Sequence, residues 1–220
     1  MMISLLKREW IVSRKMMAIA ILFLTVCLTF AVYQLCNGKY DESASFISSF
    51  PFMIILVSMS RPFVIETRDE VNKFLKLLPV RTRCIVMAKF LFFDSLYLFL
   101  SILFWIISHI LSAVFQDSYP FSMGLTLMQF SLGLFLVNFN ICGYYVFGGE
   151  NMQYVSILGF VIVIFSGLYV AKIPAVLSYL ILPLSALVFS ILFAILACMA
   201  FRSNKPLWNI GFGRALKRRF

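Results

Sequence analysis

Charged residues are scarce in this chain of 220 residues. They make up 13% of it, whereas apolar residues make up 62%, and the mean hydropathy is +0.98. A soluble domain averages about 25% charged and about 45–50% apolar residues. One core in a chain of this length cannot hold so much apolar surface, so much of that surface must face lipid. The composition excludes a soluble domain and indicates an integral membrane protein.

Side chains that carry catalysis are almost absent from the apolar part of the chain. There is one histidine, His109, and Asp94 is the one acidic residue well inside a predicted span. Hydrolases and transferases need clustered carboxylates, histidines or an activated serine. The sequence also lacks the G-x-x-x-x-G-K-[ST] loop that cradles nucleotide phosphates. We therefore predict no enzyme activity, no metal site and no cofactor on this chain.

Six apolar segments are long enough to cross a membrane as helices, since a span needs about 20 residues. They are residues 16–36, 46–65, 88–115, 121–147, 154–171 and 175–201. The sequence thus predicts an all-α integral membrane protein, with one transmembrane domain of six helices over residues 1–220. Because Pro183 interrupts the last segment, we expect an outer re-entrant or interfacial helix at 172–183 and a sixth span at 184–201. One tilted helix with a kink at Pro183 is the alternative.

Basic residues fall almost entirely on one side of the predicted spans. All of the 19 except Lys39 and Lys172 lie before the first span, in or next to the loop after the second span, or in the tail 202–220. The positive-inside rule then places both termini in the cytoplasm, and we expect a multi-pass protein of a bacterial cell membrane. Residues 1–15 are predicted to form an interfacial helix. The tail is expected to lie along the anionic inner leaflet, or simply to fix the topology.

The loop after the second span contains an amphipathic segment, residues 66–80. Val71, Phe74, Leu75 and Leu78 follow helical spacing and form one apolar stripe. Acidic residues precede basic ones along the segment, in the order that the helix dipole favours, and Pro79 ends it. By itself this pattern is typical of a surface helix that packs on the membrane face of its own protein.

The features around this segment resemble those of permease subunits of ABC exporters of the ABC-2 class. In that family a leucine–proline segment, a basic pair and a lysine commonly precede the third span. The matching residues here are Glu66, Phe74, Leu75, Leu78, Pro79, Val80, Arg81, Ile85, Val86 and Lys89. Six spans, cytoplasmic termini and an interfacial amino-terminal helix extend the resemblance over essentially the whole chain. In size the chain is similar to permeases that export amphipathic peptides or confer resistance to antimicrobial peptides.

The resemblance implies that residues 66–80 form a coupling helix that docks on a separate ABC ATPase subunit. The coupling residues would be Glu66, Asp69, Glu70, Val71, Phe74, Leu75, Leu78 and Pro79. ATP and Mg²⁺ would bind to that partner. A second permease chain, identical or homologous, would complete a pathway through the lipid for a hydrophobic or amphipathic substrate, with a peptide as the first expectation.

The net charge of +10 is explained by topology, so nucleic acid is not expected as a partner. The alternative to a transporter is a membrane anchor, or a peptide-sensing or immunity subunit, that moves nothing across the membrane. Association with an ATPase would favour transport over this alternative.

Six polar or ionisable residues within the spans are candidates for the pathway, because such groups are costly in lipid. They are Arg61, Asp94, His109, Gln129, Asn138 and Asn140. Arg61 and Asp94 each lie about 7 Å inside the cytoplasmic boundary, and we expect an interhelical ion pair between them rather than a proton relay. A lone histidine is more typical of a packing residue than of a ligand. The three amides are expected to line either a cavity or a subunit interface.

Overall fold

The computed structural model describes residues 2–40, 81–115, 123–148 and 175–202 continuously. Between these stretches it describes residues 43, 47, 50–51, 53–55, 58–59, 63, 66, 75, 151–152, 154–159 and 161–162. Four long helices account for most of them: α1 (Met2–Cys36), α2 (Thr82–Phe115), α3 (Met123–Phe147) and α4 (Ala175–Arg202). The described residues within 43–66 and 154–162 are also helical, and no strand occurs among the residues that the structure describes.

Each long helix contains a segment of membrane-spanning length and apolarity. These segments are Met17–Cys36, Thr82–Phe115, Thr126–Phe147 and Ile181–Arg202. They overlap the first, third, fourth and sixth predicted spans, whereas the second and fifth lie largely outside the described residues. A helical fold across the described part of the chain, with several helices long and apolar enough to cross a membrane, is thereby confirmed.

The amino-terminal 15 residues and the first span form one helix, which corrects the division predicted at residue 15. α1 has 35 residues and is about 52 Å long. No glycine or proline occurs before its end at Cys36, so nothing in the backbone interrupts it. Gly38, with φ of 73°, then supplies the left-handed conformation that commonly follows a helix.

The carboxyl-terminal helix also differs from the prediction, because α4 continues through Pro183. The predicted separate helix ending at Pro183 is therefore wrong, and the structure has the alternative, one helix that contains Pro183. Proline is tolerated in membrane helices where neighbouring helices and serine side chains compensate for the lost backbone bond. Here α4 packs along α3, which supports a helix that continues through Pro183.

α3 is the central helix of the described bundle. Most of its span is buried, whereas the spans of α1, α2 and α4 expose most of their apolar side chains. A ladder of rings joins it to α4, with Phe135 contacting Phe189 and Phe193 at centroid distances of 5.5 Å. Two glycines of α3 allow close approach elsewhere: a Cβ at Gly133 would lie 2.0 Å from Tyr97 Oη, and one at Gly143 would lie 2.3 Å from Val155.

The bundle has two different ends. At one end, which we call the charged end, the start of α1 and the start of α2 meet the ends of α3 and α4, and Leu5 and Phe201 belong to one buried cluster. At the other, apolar end, Ala31, Ile47, Phe50 and Phe104 form a smaller cluster. The first and last described residues of the chain therefore lie at the same end.

Candidate functional site

Four charged side chains and one tyrosine meet inside the charged end: Arg8, Glu9, Glu66, Lys89 and Tyr144, which we call the ion-pair cluster. Lys89 Nζ donates to Glu66 Oε2, and Tyr144 Oη donates to the same oxygen at 3.1 Å. Arg8 donates to Glu66 Oε1 at 2.5 Å and to Glu9 Oε1 at 2.8 Å. The cluster thereby joins α1, α2 and α3 to residue 66, where the predicted coupling segment begins.

Local helical geometry brings these side chains together. On α1, Leu5, Glu9 and Ser13 are spaced by four residues and are all buried, so they form the stripe that faces the bundle. Ile3 and Trp10 are instead exposed on the outside. The inward face of this amino-terminal segment therefore carries a carboxylate, and its outward face is available to lipid.

Lys89 is almost completely enclosed, with an exposed fraction of 1%. Its Nζ lies 4.9 Å from the ring centroid of Phe63 and 5.0 Å from that of Tyr144. These two rings stack at a centroid distance of 4.6 Å. A buried ammonium group held by carboxylates on one side and aromatic faces on the other is stabilised by both kinds of contact.

The two carboxylates of the cluster differ in their electrostatics. Burial favours a raised pKa for Glu66, but Lys89 and then Arg8 outweigh it, so the pKa lies below its ordinary value. Burial raises the pKa of Glu9, and the nearby charge of Glu66 adds to the effect, while Lys89 opposes it. Glu9 Oε2 is 3.4 Å from Lys89 Nζ and accepts no hydrogen bond from the described part of the chain. Glu66 is thus a firmly ionised carboxylate, and the ionisation of Glu9 is costly.

Two of the predicted coupling residues are buried in the structure. Glu66 and Leu75 have exposed fractions of 1% and 5%, and Leu75 belongs to the buried cluster at the charged end. Both side chains contact their own bundle, and their coupling role stays a prediction. Asp69, Glu70, Val71, Phe74, Leu78 and Pro79 lie outside the described residues, and their coupling role stays a prediction.

A second polar feature lies between α2, α3 and α4, around Asp94. Asn138 Nδ2 lies 3.0 Å from both Asp94 Oδ1 and Ser190 Oγ, so one amide connects three helices. Beside it is a groove of about 420 Å³, the Asp94 groove, with walls that include Ser95, Leu98, Leu134, Pro183 and Leu187. No basic residue is among the described residues that line it.

The expected partner of Asp94, Arg61, lies outside the described residues, so the predicted ion pair between them stays a prediction. The contact that the structure describes for Asp94 is with a neutral amide. A carboxylate with a neutral neighbour and an apolar groove beside it is a suitable contact for a cationic group on an amphipathic molecule.

The remaining pathway candidates occupy different surroundings. Asn140 is buried, and its Oδ1 accepts from Ser156 Oγ at 2.6 Å, so it joins α3 to the helical residues 154–159 and is a packing contact. Gln129 borders a small cavity of about 30 Å³ near Ser101. His109 lies on the exposed side of α2, with its ring edge-on to Trp105 at 4.4 Å.

Reasoning from the sequence missed Arg8, Glu9 and Tyr144 as members of the ion-pair cluster. The available signal was the acidic residue in an otherwise apolar and basic amino-terminal segment. An isolated carboxylate at such a position requires a cationic partner when its face of the helix is buried. Lys89 was named as a match to the family pattern, without its partner.

These features define a helical membrane protein with several spans, in which buried charge joins Glu66 to three of the long helices. Residues 4–204 match the model of the ABC-2 family transporter protein. The match covers most of the chain, so the protein belongs to this family and is a membrane permease of an ABC transporter, associated with an ABC ATPase subunit. The family consists of transport permeases rather than catalytic enzymes. No curated protein and no solved structure matches the chain significantly.

Proposed function

We propose that this chain crosses the membrane six times, has both termini in the cytoplasm, and forms the pathway of an ATP-driven exporter. Two permease chains would bind two ATPase subunits, which hold ATP and Mg²⁺. The substrate would be hydrophobic or amphipathic, with a peptide as the first expectation. The family membership supports the permease role.

The observation that carries the mechanism is the contact of Glu66 with Lys89 and Arg8. Glu66 stands at the start of the predicted coupling segment, and its carboxylate is bonded to side chains of α1, α2 and α3. A force applied to the segment would therefore act on several helices at once. α2 is the most direct recipient, because it begins at Thr82, immediately after the segment.

The proposed orientation rests on charge. The charged end contains the amino-terminal basic residues, the start of α2 and Arg202, and the positive-inside rule assigns such an end to the cytoplasm. An ATPase on the cytoplasmic side would then meet residues 66–80 directly. The same orientation places the Asp94 groove within the membrane, about 18 Å along α2 from Thr82.

The Asp94 groove supports an amphipathic substrate. Its walls are mostly apolar and its charged group is a carboxylate, so apolar side chains and a cationic side chain of a peptide would both find partners there. Such a groove would contact the substrate from one permease chain, and the second chain would complete the pathway.

The sharpest test reverses charge on the predicted coupling segment. The variant Asp69→Lys with Glu70→Lys is expected to lower ATPase co-purification from native membranes about tenfold or more, since like-charge contacts suppress binding. Membrane insertion and yield should not change. The recovered ATPase is quantified by mass spectrometry of the detergent-solubilised complex.

The matched control is Lys7→Glu, which alters an exposed residue of α1 at the same end of the bundle. It is expected to leave co-purification within about twofold of wild type. Unchanged co-purification with the double reversal would remove the proposed docking role of residues 66–80. If no ATPase is recovered with the wild-type chain either, the anchor or sensor alternative gains support.

A further inference from the structure

A third feature lies at the charged end, on the outside of the bundle between the start of α2 and the end of α4. It is a groove of about 780 Å³, which we call the arginine groove. Its walls include Arg81, Arg83, Ile191, Ile195, Met199 and Arg202. It shares no described residue with the Asp94 groove or the ion-pair cluster.

The arginine groove is divided into a cationic mouth and an apolar floor. Arg81 and Arg83 stand at the start of α2, and Arg202 is the last residue of α4, so all three guanidinium groups belong to one end. The walls deeper along both helices are apolar. No acidic residue is among the described residues that line the groove, so its own walls leave these charges without a carboxylate partner.

The length of the apolar floor matches one leaflet of a bilayer. From Ile191 to Arg202 the wall of α4 covers twelve residues, a length of about 16 Å as a helix. The hydrocarbon core is about 30 Å thick, so one leaflet is about 15 Å deep. The side chains along this wall are also open to the outside, with Ile191, Ile195 and Met199 more than half exposed.

We propose that the arginine groove binds one anionic phospholipid of the leaflet at the charged end. The phosphate accepts hydrogen bonds from the guanidinium groups, which match phosphate geometry in a bidentate manner. One acyl chain lies along the floor between α2 and α4. The start of α2 adds the positive end of its helix dipole near the phosphate.

The charge of the site selects this occupant over a cationic peptide. Three guanidinium groups repel a cationic substrate, whereas an anionic lipid satisfies the mouth and the floor together. Basic pockets between membrane helices at the cytoplasmic side are a known type of site for anionic headgroups. The proposal depends on the membrane-spanning arrangement and is independent of the exported substrate and of the ATPase.

The test uses the purified full chain in a zwitterionic detergent, with dioleoylphosphatidylglycerol as the anionic probe and dioleoylphosphatidylcholine as the neutral one. Native mass spectrometry counts the lipids retained by each chain. We expect wild type to retain one phosphatidylglycerol at least about tenfold more strongly than phosphatidylcholine. Inorganic phosphate and glycerol phosphate, added in separate arms, should compete weakly because they lack the acyl chain.

Two variants separate the mouth from the floor. Arg81→Gln, Arg83→Gln and Arg202→Gln together should abolish the preference for phosphatidylglycerol. Ile195→Trp, which fills the floor without altering charge, should lower retention of both lipids at this site. Size-exclusion chromatography checks that each variant remains monodisperse.

The matched control removes three cations from α1 at the same end, as Lys7→Gln, Arg14→Gln and Lys15→Gln, all of which are exposed. It should keep the preference within about twofold of wild type. Equal retention of the two lipids by wild type would overturn the proposal. So would an equal loss in the α1 control, which would reveal only a general charge effect, or full competition by inorganic phosphate, which would reveal a site for small anions.

Discussion

Glu66 and Asp94 are both carboxylates within the helical bundle, yet their surroundings are opposite. Glu66 contacts two cations and a tyrosine hydroxyl and is almost fully enclosed. Asp94 contacts a neutral amide, and an apolar groove of about 420 Å³ opens beside it. Among the described residues, Glu66 therefore has its charge balanced within the chain, whereas the hydrogen-bond partner of Asp94 is a neutral amide.

This difference indicates that Glu66 stabilises the packing of the helices, whereas Asp94 can contact another molecule. A buried ion pair is strongly coupled to stability once it exists, because removing one partner leaves the other charge buried. A carboxylate beside an open groove has no such dependence and is able to meet a substrate. Substitutions at the two carboxylates and at their neighbours test this division.

The largest effect is expected from Glu66→Gln. Lys89 would then remain buried without its principal carboxylate, and breaking a buried pair of this kind costs about 3–5 kcal/mol. The free energy of unfolding is measured by denaturant titration of the purified chain in detergent micelles. Lys89→Met should cost less, because Glu66 keeps Arg8 as a cationic partner.

The double variant Glu66→Gln with Lys89→Met is the decisive comparison. Since it removes both charges of the pair, its cost should be smaller than the sum of the two single costs by at least about 1 kcal/mol. The exposed control Lys7→Gln should stay within about 0.5 kcal/mol of wild type. Additive single costs would show that the two side chains do not act as a pair.

Asp94→Asn should produce the reverse pattern, with stability kept and transport reduced. An asparagine at this position still accepts a hydrogen bond from Asn138, so we expect less than about 1 kcal/mol loss in unfolding free energy. Losing the charge should weaken the binding of a cationic amphipathic peptide by about tenfold, or about 1.4 kcal/mol. A labelled peptide is followed into inverted vesicles that contain the permease with its ATPase.

Ser95→Ala is the matched control, because Ser95 lines the same groove and the change leaves the charge in place. Uptake by this variant should remain near that of wild type. If Asp94→Asn transports the peptide normally, Asp94 is a packing residue and its groove has no part in the pathway.

The sequence was sufficient for the class of protein, and the four described membrane-length helices overlap predicted spans. Apolar runs of about 20 residues can scarcely fold in any other way within lipid, and α3 at Met123–Phe147 is close to the predicted 121–147. Two helix boundaries that rested on weaker signals differ from those in the structure. Amphipathic character suggested a division at residue 15, but nothing in the backbone enforces one, and a proline in lipid did not end α4.

The candidate site was only partly accessible to sequence reasoning. Depth along a helix placed Asp94 inside the membrane, and the family pattern contained both Glu66 and Lys89. Which cation meets which carboxylate depends on helix rotation and on contacts between residues far apart, such as Arg8 with Glu66. Local spacing carries no information about such pairs, and for this reason the stripe of Leu5, Glu9 and Ser13 was not recognised as the inward face of α1.

The smallest effect concerns Glu9, the second carboxylate of the ion-pair cluster. It makes the slope of the unfolding free energy against pH change sign. Burial raises the pKa of Glu9 above its ordinary value of 4.5, so the folded chain retains a proton that the unfolded chain has released. Stability should therefore fall as pH rises from 4.5 through the folded pKa of Glu9, by at most about 1.4 kcal/mol per pH unit. Glu66, whose pKa is lowered, should give the opposite slope below 4.5.

Glu9→Gln keeps an acceptor for Arg8 and removes the titration, so its unfolding free energy should no longer fall over the interval just above pH 4.5. Glu66→Gln provides the comparison, since it should lose the rise at lower pH and keep a smaller fall, because the charge of Glu66 adds to the raised pKa of Glu9. Both are measured by denaturant titration at closely spaced pH values in one detergent. If the fall is unchanged in Glu9→Gln, it belongs to another titrating group. The proposed electrostatic difference between Glu9 and Glu66 would then be lost.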